Sequence, residues 1–125
     1  MTFRFARHTN SLEKLKKFYT QVLHFEILGS FENHNGYNGI FIGKQNQNWH
    51  LEFTENQEKI EFTFGEDDML VFYPQTQIEY QDIINSIIEN NVQLIKSKNP
   101  YWNENGKMFL DPDGYRIVVS KLKVK

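Results

Sequence analysis

The chain of 125 residues contains no cysteine. That excludes disulfides, thiolate metal sites and cysteine nucleophiles in one step. An excess of one charge is also missing: 14 basic and 16 acidic residues give a formal −2. The two signs are interspersed, so there is no electrostatic footprint for nucleic acid or for an anionic membrane. Long apolar runs are absent, and the opening MTFRFARHTN has the pattern of neither a signal peptide nor a membrane span. A cytoplasmic protein is the expectation. The hydrophobic share of 39% is modest, but aromatics make up 15%, eleven of them Phe. They supply the large groups that one domain of this length needs for a core.

The order of elements repeats. FRFARH alternates as a strand, with Phe3, Phe5 and Arg7 on one face and Arg4, Ala6 and His8 on the other. Asn10 and Glu13 stand three apart as a capping box, ahead of an apolar stripe of Leu12, Leu15, Phe18, Tyr19, Val22 and Leu23. Strands are expected over 26–32, 37–42 and 49–54, separated by turns rich in Asn and Gly. The polar, aperiodic stretch 55–67 is the expected linker between a first module (1–54) and a second (68–125). The sequence then begins again. DMLVFY reads as a strand, and Thr76 with Glu79 forms a second capping box. Tyr80, Ile83, Ile84, Ile87 and Ile88 make a second stripe, closed by Asn90 and Asn91. VQLI, NGKMFL and YRIVV follow as strands. Between the last two, Asp111-Pro112-Asp113-Gly114 is turn chemistry, with Pro112 presetting φ and Gly114 tolerating positive φ. Each half is β-α-β-β-β, and NGIFIG matches NGKMFL as WHLEF matches YRIVV.

Two such modules resemble the vicinal oxygen chelate superfamily, which contains glyoxalase I, bleomycin-resistance proteins and extradiol dioxygenases. The stretches LEKLKKFYTQVLHFEIL and FLDPDGYRIVV carry the resemblance most specifically. It implies an α+β fold in which two βαβββ modules curve a mixed sheet around a cleft, with the helices behind. One departure is His24, where relatives usually place Gly after the helix; His can hold the left-handed conformation there at some strain. The resemblance also implies a divalent ion held from the first and last strand of each module. Carried over, those positions are Arg4, Glu52, Asp68 and Val118. The Arg4-to-Glu52 separation of 48 nearly equals the Asp68-to-Val118 separation of 50, which supports that register.

Val118 cannot coordinate anything, and the guanidinium of Arg4 has no lone pair and repels a cation. Only Glu52 and Asp68 remain as oxygen donors, with His50 as a nitrogen nearby. The expectation is a site without metal and without any other cofactor. Strand parity is read as placing Arg4, His50, Glu52, Asp68, Leu70, Phe72, Arg116, Val118 and Ser120 on the cleft side. The opposite face then holds Phe3, Phe5, Trp49, Leu51, Phe53, Met69, Val71, Tyr115, Ile117 and Val119 against the helices. Pairing of Arg4 with Glu52 and of Arg116 with Asp68 would satisfy the inward charges. The same guanidinium groups could also grip a carboxylate, phosphate or enolate oxygen. Tyr101 and Trp102 in the loop NPYWNENG, and Phe31, His34 and Tyr37 near the other module's edge, are aromatics suited to a planar ligand. His34 itself reads as a solvated turn residue.

The functional expectation is a small-molecule binder with ligand contacts from Arg4, His50, Glu52, Asp68, Phe72, Tyr101, Trp102 and Arg116, working as a homodimer. The alternative is a lyase, isomerase or dioxygenase that uses Glu52 as general base or as ligand of a divalent metal. A third class is a subunit whose cleft is vestigial and whose role is assembly.

Overall fold

The alternation of the first residues becomes strand β1 (Phe3–His8), and the first apolar stripe becomes helix α1 (Leu12–Gln21), in a computed structural model that describes residues 1–123. Residues 124 and 125, the end of the second module as read from sequence, lie outside that range. The chain divides into two compact units, Met1–Glu61 and Phe62 onward. In the first, β2 (Glu26–His34), β3 (Tyr37–Gly43) and β4 (Trp49–Glu55) follow α1. The sheet order is β1-β4-β3-β2. Hairpin links make β2–β3 and β3–β4 antiparallel, while the long crossover lets β1 and β4 run parallel.

Helix α1 covers one face of this sheet. Its Leu15 and Tyr19 are buried, and the Tyr19 ring lies 5.0 Å from Phe53 and stacks on Phe25 at 6.3 Å. Ile42, Leu51 and Phe53 complete the layer, all almost without exposed surface. Each such side chain contributes about 1.5–3 kcal/mol by leaving water. The helix begins one residue later than its sequence suggests. Ser11, not Asn10, is the N-cap, and its Oγ accepts from Lys14 N at 3.2 Å. Asn10 instead clasps the segment after β4: its Nδ2 donates to Ile60 O at 2.7 Å, and its Oδ1 accepts from Ile60 N at 3.0 Å. Glu55 Oε1 accepts from Leu12 N at 2.9 Å, a carboxylate at the positive end of the helix. His24 holds φ 60 after the helix, as its place in the sequence requires, and Lys44 Nζ donates to its carbonyl at 2.7 Å.

The second unit repeats the plan with β5 (Met69–Phe72), α2 (Gln77–Glu89), β6 (Leu94–Ile95), β7 (Gly106–Leu110) and β8 (Arg116–Ser120), in the order β5-β8-β7-β6. Thr76 caps α2, its Oγ1 accepting from Glu79 N at 3.0 Å, while Glu79 Oε2 accepts from Gln75 N at 3.1 Å. The helix ends in a Schellman arrangement: Asn91 has φ 57, its N–H donates to Ile88 O, and Val92 N donates to Ile87 O, both at 3.0 Å. Buried Asp111 builds the last turn. Its Oδ1 accepts from Asp113 N at 2.9 Å and from Tyr115 N at 3.1 Å, and Gly114 takes φ 86.

Two expectations about this unit change. The stretch around Tyr101 and Trp102 is not a loop but a short helix, α3 (Pro100–Asn105). Asn99 caps it and Pro100 starts it, a combination that presets its first turn. The β5–β8 register also differs from the parity read in sequence. Met69 pairs with Arg116, Leu70 with Ile117, Val71 with Val118 and Phe72 with Val119. Laterally paired residues share a face, so Leu70 and Phe72 lie with Ile117 and Val119, and Met69 and Val71 lie with Arg116 and Val118. Arg4 faces His50, 46 residues on, whereas Met69 faces Arg116, 47 residues on. A one-residue change in offset turns every side chain of β5 over.

Candidate functional site

The face of the first sheet opposite α1 gathers the charged groups. Arg4 on β1 pairs laterally with His50 on β4, and Glu52 is the next residue of β4 on that face. Arg4 Nε donates to His50 Nε2 at 2.8 Å, and Arg4 Nη1 donates to Glu52 Oε1 at 3.0 Å. The Arg4–Glu52 pair expected from sequence is thus formed. In this arrangement His50 Nε2 is the acceptor, its lone pair turned to the guanidinium. The guanidinium also lies over the Phe41 ring, 4.7 Å from its centroid, and Phe41 meets His50 edge-on at 5.9 Å. Half of the Arg4 side chain (49%) remains in water, against 14% for Glu52.

Two glycines shape the aromatic border. The Phe31 ring occupies the space above Gly39, where an added Cβ would come within 2.3 Å of it, and Phe41 sits against Gly29 in the same manner at 3.2 Å. The two rings are 5.8 Å apart. Phe41 escaped the sequence reading, although isolated glycines inside strands signal such close approach. Further along the face, His8 Nδ1 lies 3.0 Å from Thr54 Oγ1, and the rings of His8 and Tyr37 meet edge-on at 6.0 Å. Phe31 and His34 stand on β2 itself, their rings 6.2 Å apart, because this strand runs further than its apolar pattern.

In the second unit the predicted residues separate. Arg116 Nη1 donates to the carbonyl of Gly65 at 3.2 Å and does not pair with Asp68. Asp68 lies ahead of β5 in the turn closed by its own N–H to Gly65 O, exposed. Phe72 is turned to the side of Ile117 and Val119, the counterparts of Leu51 and Phe53 in the repeat. Val118 shares the Arg116 face and is fully buried. Trp102 meets Tyr101 at 4.9 Å and lines a cavity of ≈ 470 Å³ with Asp67, Met69, Lys98 and Asn99. Tyr101 itself is exposed. Among the described residues no three His, Asp or Glu side chains come together as a metal-holding group, and no helix is long and apolar enough to cross a membrane.

Solved structures share this architecture. Glyoxalase I of Leishmania major superposes with a TM-score of 0.74 at 18% identity, over 96% of this chain and 85% of that one. TnmS3 of Streptomyces sp. CB03234, an antibiotic binding protein, does so with 0.70 at 19%, over 96% and 93%. The two modules thus have the fold of the glyoxalase and bleomycin-resistance proteins. Within that class the chain belongs to the YycE-like family, since residues 3–54 match the YycE-like N-terminal domain and residues 67–121 the YycE-like C-terminal domain. The uncharacterized protein YycE of Bacillus subtilis (strain 168) is 36% identical over 121 residues, 96% of this chain and 87% of the relative. A crystal structure of a YycE protein from Bacillus subtilis, described as of unknown function, superposes with a TM-score of 0.89 at 34% identity, covering 99% and 91%.

Proposed function

We propose that the chain captures a small flat or anionic molecule on the open face of its first sheet, with Arg4 as anchor and no divalent ion taking part. The locked guanidinium carries this reading. Its Nε and Nη1 are committed to His50 and Glu52 and its plane rests on Phe41, while half of the side chain still faces water. A cation already held in one geometry loses little entropy when a carboxylate, phosphate or enolate oxygen arrives. The family's metal positions do not fit an ion here. The side chains of Arg4 and Val118 have no lone pairs to give, and the guanidinium takes up the lone pair of His50 Nε2 and one acceptor site on Glu52 Oε1. As counter-charge to Arg4, Glu52 fits the binding reading better than a role as general base. A fold that also serves an antibiotic binding protein is compatible with capture without chemistry.

Titration calorimetry with biphenyl-4-carboxylate, run with and without EDTA, tests the reading. The expected result is binding that is indifferent to chelator and weakened at least about tenfold by Arg4→Met, the loss of a charge-assisted contact. Near-stoichiometric Zn, Mn, Fe or Ni in protein prepared without chelator, lost in Glu52→Ala, would sink it.

We further propose a homodimer. Strand β2 ends its sheet and leaves Ile27 and Leu28 about two-fifths exposed, at 39% and 38%, an apolar edge suited to cover by a second copy. Sedimentation equilibrium at micromolar concentration is expected to give twice the chain mass, and a monomer throughout would refute this.

A further inference from the structure

We infer that the Arg4 site has a second pole at His8, so that its ligand is an elongated flat molecule with an anionic group at one end and a hydroxyl at the other. The inference rests on the binding reading above and adds the residue that sets ligand length and polarity.

His8 lies four residues beyond Arg4 on the same face of β1, roughly 13 Å along the strand. Between them stands Ala6, exposed, whose methyl group leaves the floor low and apolar. The neighbouring strand keeps the same spacing, with His50, Glu52 and Thr54 paired to Arg4, Ala6 and His8 in turn. The far pole is as firmly held as the near one. Thr54 Oγ1 engages His8 Nδ1 at 3.0 Å, and Tyr37 braces the ring edge-on. With Nδ1 occupied, the hydrogen-bonding capacity left to the imidazole is Nε2. That atom has no partner among the described residues, and His8 is half-buried. Phe31 and Phe41, seated over Gly39 and Gly29, border the strip between the poles and offer ring surface to a flat body. Glu52, in the middle of the strip, is paired with Arg4 through Oε1. A rigid aromatic carboxylate bearing a distal hydroxyl reaches Arg4 and His8 in one pose. A short anion satisfies only Arg4.

The test compares biphenyl-4-carboxylate with its 4′-hydroxy derivative by calorimetry on the full chain. In the unaltered protein the hydroxyl is expected to tighten binding about fivefold, the size of one net hydrogen bond. His8→Phe should erase that gain, bringing the affinities of the two probes level with each other, whereas His8→Gln, which keeps a polar hydrogen-bonding end, should restore part of it. Arg4→Met should weaken both probes alike. If the hydroxyl brings no gain, or if the gain survives His8→Phe, the second pole does not exist, while Arg4-dependent binding of the parent probe leaves the binding reading intact. If neither probe binds at millimolar concentration, both fall together. Circular dichroism of each variant separates lost contacts from lost folding.

Discussion

Phe53→Ala is expected to destabilise the protein by about 3–5 kcal/mol, the range for removing a fully buried Phe. Total stabilities of natural domains are about 5–15 kcal/mol, so this one change takes a large share. Phe53 has no exposed surface and faces Tyr19 at 5.0 Å, and Tyr19 in turn stacks on Phe25. It also sits in β4 between Glu52 and Thr54, which face the other way. The cavity would therefore open directly beneath the candidate site, loosening the strand that positions both poles. Urea unfolding of the variant should show a lower midpoint. Ile88→Ala, at a residue 61% exposed on α2, should move it by less than about 0.5 kcal/mol. Equal effects of the two changes would contradict the packing described.

Arg4 and Glu52 are expected to respond unequally to removal. Arg4→Met leaves a carboxylate that is only 14% exposed without its donor, at a cost of about 1–3 kcal/mol. Glu52→Leu leaves a guanidinium that is 49% exposed and still bonded to His50, so water replaces most of what is lost and the cost is about 0–1 kcal/mol. A charge pair with one partner half in water falls short of the roughly 3–5 kcal/mol associated with breaking a fully buried one. The double variant should cost less than the two single changes together, with a coupling of about 0.5–2 kcal/mol in a double-mutant cycle. Additivity within error would mean that the 3.0 Å contact contributes nothing, and it would return Glu52 to consideration as a base.

Local chemistry made several features legible in the residues. Thr76 caps α2 as its spacing to Glu79 demands, and His24 and Gly114 adopt positive φ where the chain must turn. The period-2 alternation of β1 and β4 brought Arg4, His50 and Glu52 to one face, because that pattern survives any packing that buries Phe53 behind it. Where two local solutions compete, the sequence is ambiguous. Asn10 and Ser11 are both good caps, and the choice went to Ser11 because the Asn10 amide is engaged elsewhere, holding Ile60 from 50 residues away. Likewise Asn99-Pro100 can open a turn or a helix. Here Asn103 decides by binding Ser97 through both amide atoms, with Ser97 N donating to its Oδ1 at 2.7 Å and its Nδ2 donating to Ser97 O at 2.9 Å.

By itself, then, the sequence determined the two βαβββ modules, the burial of Leu51 and Phe53 behind the first sheet and the guanidinium–carboxylate pair on its open face, although Phe3, read into that core, is 64% exposed. All of these follow from side-chain period and turn chemistry, which act within a few residues. The tertiary structure alone decided which face each residue of β5 presents. Parallel strands meet after a crossover of some forty residues, and no local rule counts the residues consumed on the way. One residue more in the second crossover than in the first put Met69 opposite Arg116, where equal separations would have put Leu70, and turned Phe72 from the Arg116 face to that of Val119. The Phe41 ring was hidden for the same reason, as was the seat of Phe31, which the sequence offered only as an aromatic near the edge. Each fills the gap above a glycine on the adjacent strand, and pairing register brings those residues together.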